Sequence, residues 1–243
     1  MVEGLKYIIP FSVDIVNMSL AVLCDEYKKE IEVLCSRIRD NGAIINVSVL
    51  NHASTSFPAS LDSTLGIRGA FNVDPYKIWY NAKNEIQCVS NLTPVLVSNI
   101  DGKKTFFGGN SKATALVSGL LAKAMYTMQI DGENALKSLV IKTDWCEDDI
   151  QKEFTVQNKE KVGVELLALS EQVCDFLKFN KKQRENILER TLFPPSIYIE
   201  KEQFICLIEY LSAFYHKEVI LGQFEISNLS TISSIYRYFK GEK

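Results

Sequence analysis

Apolar and polar positions along this chain fall into two regimes. Over the first 142 residues, short β-branched runs alternate with longer helical periodicities. Residues 3–9 read as a helix that Pro10 breaks, and Val13 to Leu20 is a short, mostly apolar run suited to a buried parallel strand. Tyr27, Ile31, Leu34, Cys35 and Ile38 recur at helical spacing, and Gly42 stands where a glycine ends such a helix. Ala43 to Val49 is a second apolar strand. Strand, helix, strand with short links is the βαβ signature of a parallel sheet. Asn51 to Ser63 is polar loop, Thr64 to Phe71 a third strand, and residues 86–107 hold two or three short strands. Gly108-Gly109-Asn110-Ser111 opens a helix to about Met128, rich in small residues, and another helix is expected over 133–141.

Beyond residue 142 the pattern changes. Residues 145–163 are charged and poor in large apolar groups, so 143–163 reads as a linker. Helices are expected at Val164–Phe179, Lys182–Leu192 (ended before Pro194-Pro195), Glu202–Tyr215 and Ser230–Phe239, a four-helix unit spanning 164–243. The expectation is an α/β first domain over 1–142 and a small helical second one.

Composition narrows the chemistry. The chain has 243 residues, 47% apolar and 23% charged, enough for packed cores. A net charge of -3 argues against nucleic acid as the main partner, because phosphate binding wants a dense basic surface. Cys24, Cys35, Cys88, Cys146, Cys174 and Cys206 form no C-x-x-C pair, and only His52 and His216 could add nitrogen ligands. No metal or cofactor is therefore expected, and the cysteines read as free thiols, Cys35 in a core. No secretory signal and no membrane-length apolar run is apparent, so a cytoplasmic protein away from membranes is expected.

Three segments, in order, resemble subtilisin-like (S8 family) serine peptidases over about residues 3–128. Gly109-Asn110-Ser111-Lys112-Ala113-Thr114-Ala115-Leu116-Val117-Ser118-Gly119 is similar to the family's G-T-S-M-A-T-P-H-V-A-G. Asp14-Ile15-Val16-Asn17-Met18-Ser19-Leu20 resembles D-V-I-N-M-S-L-G, and Gly42 to Asn51 resembles G-V-V-V-V-A-A-A-G-N. Phe57-Pro58-Ala59 and Gly66-Ile67-Arg68-Gly69-Ala70 are similar to the stretch that follows. The resemblance implies Ser111 as nucleophile, Asn51 as donor to an oxyanion, and Ser19, Leu20, Ala21, Gly109 and Asn110 along the peptide-binding wall. The plainer alternatives are a helix N-terminal residue held by packing for Ser111, a turn residue for Asn51 and an ordinary loop residue for His52.

The departures weigh equally. Ala21 replaces the glycine after S-L, Asn110 replaces Thr, and Ala115 replaces Pro. The family's catalytic Asp and His lie upstream of the S-L-G strand, and this chain begins after them. Asp14 matches a strand residue and His52 follows the oxyanion Asn, so neither replaces them. A serine without a base is a poor nucleophile. The missing strands would leave a sheet edge open, so a second protein chain is expected to complete the sheet.

Residues 165–241 resemble an acyl or peptidyl carrier protein. Gln203 to Tyr215 is similar to the family's recognition helix, and Phe224 to Ile232 to the approach to its last helix. Lys201 stands where the phosphopantetheine serine should be, and Ser196 is five residues too early, so no prosthetic group is expected.

Two functions follow as expectations. One is a partner-dependent peptide-binding or scaffold protein, inactive alone, whose carrier-like module docks biosynthetic enzymes. The other is the serine-bearing subunit of a split peptidase completed in trans by a chain that supplies Asp and His. A remnant of a truncated gene is the third.

Overall fold

A computed structural model of the chain describes residues 1–51, 53–71, 73–98, 100–102, 104–152, 163–185, 187–193, 199–219 and 229–241. Two compact units emerge. The first comprises Met1–Thr93 and Gly108–Asp149, the second Pro94–Phe107 and Ile150–Lys243. Residues 94–107 thus group with the C-terminal residues, where the sequence suggested one continuous first domain over 1–142.

The first unit is α/β. Its elements run α1 (Val2–Ile8), β1 (Ile15–Met18), α2 (Lys28–Asp40), β2 (Ile44–Ser48), β3 (Leu65–Ala70), β4 (Ile78–Tyr80) and β5 (Cys88–Asn91). After β6 (Val95–Ser98) and β7 (Lys104–Phe107), which belong to the second unit, follow α3 (Gly109–Met128), α4 (Gly132–Leu139) and β8 (Val140–Lys142). The sheet order is β1-β2-β3-β5-β4-β8. The pairs β1–β2, β2–β3, β3–β5 and β4–β8 are parallel, and β4 runs antiparallel to β5. The result is a mostly parallel sheet flanked by helices.

Strand alternation sends side chains to two cores. Ile45 and Val47 of β2 pack with Leu5 of α1 and Ile31, Leu34, Cys35 and Ile38 of α2. Ile67, Ile78 and Cys88 pack with Ala113, Val117 and Leu121 of α3 and with Ala135 and Leu139 of α4. Small residues on the buried side of α3 let it lie close to the strands. Gly42, just past α2, has φ +97, a backbone shape that glycine adopts without strain.

Three details differ from the pattern reading. β4 falls between the third strand and the short strands expected over 86–107, where the pattern assigns no element, and β8 overlaps the end of the helix expected over 133–141. Both have three residues, too few for periodicity to show, and they pair with each other. The charged stretch after 142 begins with structure. Trp145 is buried and its indole N–H donates to the Gln87 carbonyl at 2.9 Å, and α5 covers Glu147–Lys152.

In the second unit, β6 and β7 form an antiparallel hairpin. Phe106 of β7 packs edge-on against Phe193 and Phe204, with ring centroids 5.7 and 5.3 Å away. The helices are α6 (Val164–Phe176), α7 (Lys181–Arg184), α8 (Lys201–Tyr215) and α9 (Ile232–Lys240). The helix expected over Lys182–Leu192 is instead the single turn α7 and a 3-10 turn at Ile187–Glu189. An Asn180–Gln183 capping box starts α7, Glu185 turns extended, and Leu192 and Phe193 enter the core beside the Thr191–Thr231 bridge. Pro194-Pro195, Ser196 and Phe224–Asn228, part of the carrier resemblance, lie outside the described residues.

Among the described residues no helix is long and apolar enough to cross a membrane.

Candidate functional site

The C-terminal ends of β1, β2 and β3 meet the N-terminus of α3. Parallel strands align their carboxyl ends, so loops leaving β1 and β2 converge on the helix. Gly109 is the first residue of α3, with Gly108 at its N-cap, and has φ +73. A Cβ added to Gly109 would sit 3.0 Å from Oδ1 and 3.3 Å from Nδ2 of Asn51. Backbone conformation and close approach thus both favour glycine there.

Asn51 and Asn110 form the frame. Asn51 Oδ1 accepts from the Asn110 backbone N–H at 3.1 Å. That bond satisfies one of the donors a helix start leaves without intrahelical partners. The Asn110 side chain is buried. Its Oδ1 accepts from the Gly69 N–H at 2.9 Å, and its Nδ2 donates to the carbonyls of Val49 at 3.0 Å and Leu50 at 3.5 Å. One carboxamide therefore ties α3 to β3 and to the segment leaving β2. Thr114 Oγ1 closes the turn by donating to the Asn110 carbonyl at 2.8 Å.

Ser111 follows, half-buried in the first turn. Among the described residues nothing hydrogen-bonds its hydroxyl or the Nδ2 of Asn51. The Ser111 carbonyl accepts from Ser19 Oγ at 3.4 Å, which brings the end of β1 to the site. Leu20 is exposed and Ala21 half-buried. The structure thus brings Asn51, Gly109, Asn110, Ser111 and Ser19 together, with Leu20 and Ala21 on the segment that follows. An unengaged amide and a helix N-terminus side by side suit a developing negative charge. His52 lies outside the described residues. His216 is the C-cap of α8 in the second unit.

Two features escaped the sequence reading. Lys112, where the resemblance expects Met, is buried, and its Nζ donates to Asn91 Oδ1 at 2.9 Å and to the Asn91 carbonyl at 3.1 Å. A charged residue in a run of small ones was the available signal. Behind Ser111, Ser118 Oγ of α3 donates to Asn17 Oδ1 of β1 at 2.9 Å and accepts from Asn46 Nδ2 of β2 at 2.8 Å. Asn17 and Asn46 are register partners, so their side chains share the α3 face.

β1 ends the sheet order, and among the described residues no strand pairs on its outer side. The Ile44 N–H donates to the Asp14 carbonyl at 2.9 Å. By the alternation of a parallel ladder, the backbone groups of Ile15 and Asn17 then face the open edge.

Two buried thiols of the first unit are quiet. Burial pushes Cys35 up to about 11 and raises Cys88 further, so neither forms a thiolate near neutrality. Among the described residues no group of three or more His, Cys, Asp or Glu could hold a metal ion.

No family model matches the chain, and no curated protein matches it. Among solved structures it is similar to a mutant form of the protease domain of PatA, at 18% identity and TM-score 0.42, covering 55% of this chain and 53% of that one. It is also similar to a psychrophilic protease, at 14% identity and TM-score 0.44, covering 58% of this chain and 57% of that one. The chain thus spans little more than half the length of either.

Proposed function

We propose that this chain is a partner-dependent, subtilisin-like half-site. It is inert toward peptides when isolated, binds a second chain along β1, and acts as a peptide-binding or scaffold protein. The carrier-like C-terminal unit would dock biosynthetic enzymes. The observation that carries the reading is the outer edge of β1, unpaired among the described residues, with Ser19 just past its end beside Ser111. A strand added there would bring its own carboxyl end toward Ser111, where a base is wanted.

The chain's own residues account for half of a hydrolytic site. Asn51 Nδ2 and the first-turn N–H groups of α3 would stabilise an oxyanion, a contribution of about 10²–10³ in rate per donor. No group among the described residues takes the Ser111 proton, and an unassisted hydroxyl attacks a peptide poorly.

The second reading, a split peptidase whose Asp and His arrive in trans, is favoured by the unengaged Ser111 hydroxyl and Asn51 amide.

The test is purification of the tagged chain from its own host, beside Asn17→Pro. Proline removes an outward N–H and is tolerated at sheet edges. The reading expects a stoichiometric partner with the native chain and its loss with a folded Asn17→Pro. An identical partner yield from both would overturn edge pairing. A fluorophosphonate label on Ser111 in the complex would select the split enzyme.

A further inference from the structure

The face of the first unit formed by α1 and α2 carries a groove of about 690 Å³. Ile9 and Leu34 line it with apolar surface, and Val33, 57% exposed, stands over it. Lys29, Val33 and Arg37 sit at i, i+4 and i+8 on α2, so they form one stripe along the helix. Lys6 of α1 bonds Glu30 at 2.8 Å and Glu3 at 3.3 Å, which leaves Glu30 already paired. Among the described residues no carboxylate pairs with Lys29 or Arg37. The groove is thus apolar at its centre, with an uncommitted cation at each end.

We infer that this groove docks an acidic amphipathic peptide helix. Eight residues of α2 at 1.5 Å each separate the two cations by roughly 12 Å along the axis. A helix lying alongside presents carboxylates at that spacing from positions seven or eight apart, two turns. The apolar residues between them would cover Val33 and Ile9, which is the helix-in-groove mode of recognition. The volume suits several side chains rather than a single ion. Two free cations are fewer than the four to eight of a lipid-binding cluster. The groove lies on the α1–α2 side of the sheet and the Ser111 helix on the other, so the inference stands apart from the fate of Ser111.

The test uses the full chain and a fluorescein-labelled synthetic helix with glutamates two turns apart framing leucines, read by fluorescence anisotropy at low ionic strength. Saturable binding is expected. It should weaken about tenfold with Lys29→Glu/Arg37→Glu, and also with a peptide carrying Gln for Glu. Val33→Ser should weaken it without changing its salt dependence. Both cations are exposed, so far-UV circular dichroism should be unaltered, and Lys29→Gln/Arg37→Gln serves if the reversal unfolds the chain. Equal binding of the Gln peptide, an unchanged affinity in the charge variants, or no saturable binding would overturn the inference. So would charge-dependent binding to phosphatidylserine vesicles with none to the peptide.

Discussion

Asn110→Ala is the sharpest test of the frame that holds Ser111. The side chain is buried at 9% exposure and makes two well-formed bonds, one to the Gly69 N–H and one to the Val49 carbonyl. Truncation affects the two differently. Val49 keeps a second donor, the Ser48 hydroxyl at 3.1 Å, so its loss is one ordinary bond, about 0.5–1.5 kcal/mol. Gly69 loses its acceptor in a buried strand, and an orphaned donor costs about 1–3 kcal/mol. The sum is about 1.5–4.5 kcal/mol. Asn51→Ala is the control, since Asn51 is exposed and water can replace its single bond to the Asn110 N–H, so about 1 kcal/mol is expected. Urea unfolding followed by tryptophan fluorescence suits the comparison, because Trp79 and Trp145 are the chain's only tryptophans and both lie in the first unit. A cost for Asn110→Ala no greater than that for Asn51→Ala would refute the reasoning.

Two further outcomes follow from the same packing. Gly66→Ala would place a Cβ 2.3 Å from the Ala59 carbonyl oxygen, a backbone atom that cannot turn aside, and should lower the urea midpoint through a destabilisation of about 1–3 kcal/mol. The Lys142 ammonium, 2.8 Å away, and then the Cys146 N–H hold the Asp149 carboxyl at about 2, below its ordinary value. A depressed carboxyl contributes stability above its unfolded value of about 4 and loses it as pH falls toward 2. Asp149→Asn should therefore lower the thermal midpoint above about pH 4 and lower it much less near pH 2, and an equal shift at both would contradict the pairing.

How much of this was legible depends on element length. α2 and α3 announce themselves through many periodic positions, and β1, β2 and β3 through apolar runs bounded by polar loops. β4 and β8 have three residues each, and their strand character comes from pairing, β4 with both β5 and β8, a relation between separate segments. The helix expected over Lys182–Leu192 failed because Leu192 and Phe193 gain more by entering the core than by extending a helix turn. At the site, the proximity of Asn51 to Gly109 and Ser111 follows the order of the resembling segments. The bridging role of Asn110 was hidden, because its partners are backbone groups of β3 and of the segment leaving β2, which no side-chain pattern marks. Lys112 was hidden likewise, its partner Asn91 lying 21 positions away.

The central proposal is that Ser111 stands beside an oxyanion donor, Asn51, with no base for the serine among the described residues. Treating the purified chain with a fluorophosphonate near neutral pH and reading its intact mass tests that directly. The account predicts no adduct on the native protein. A stoichiometric adduct absent from Ser111→Ala would contradict it and show that the isolated chain activates its own serine.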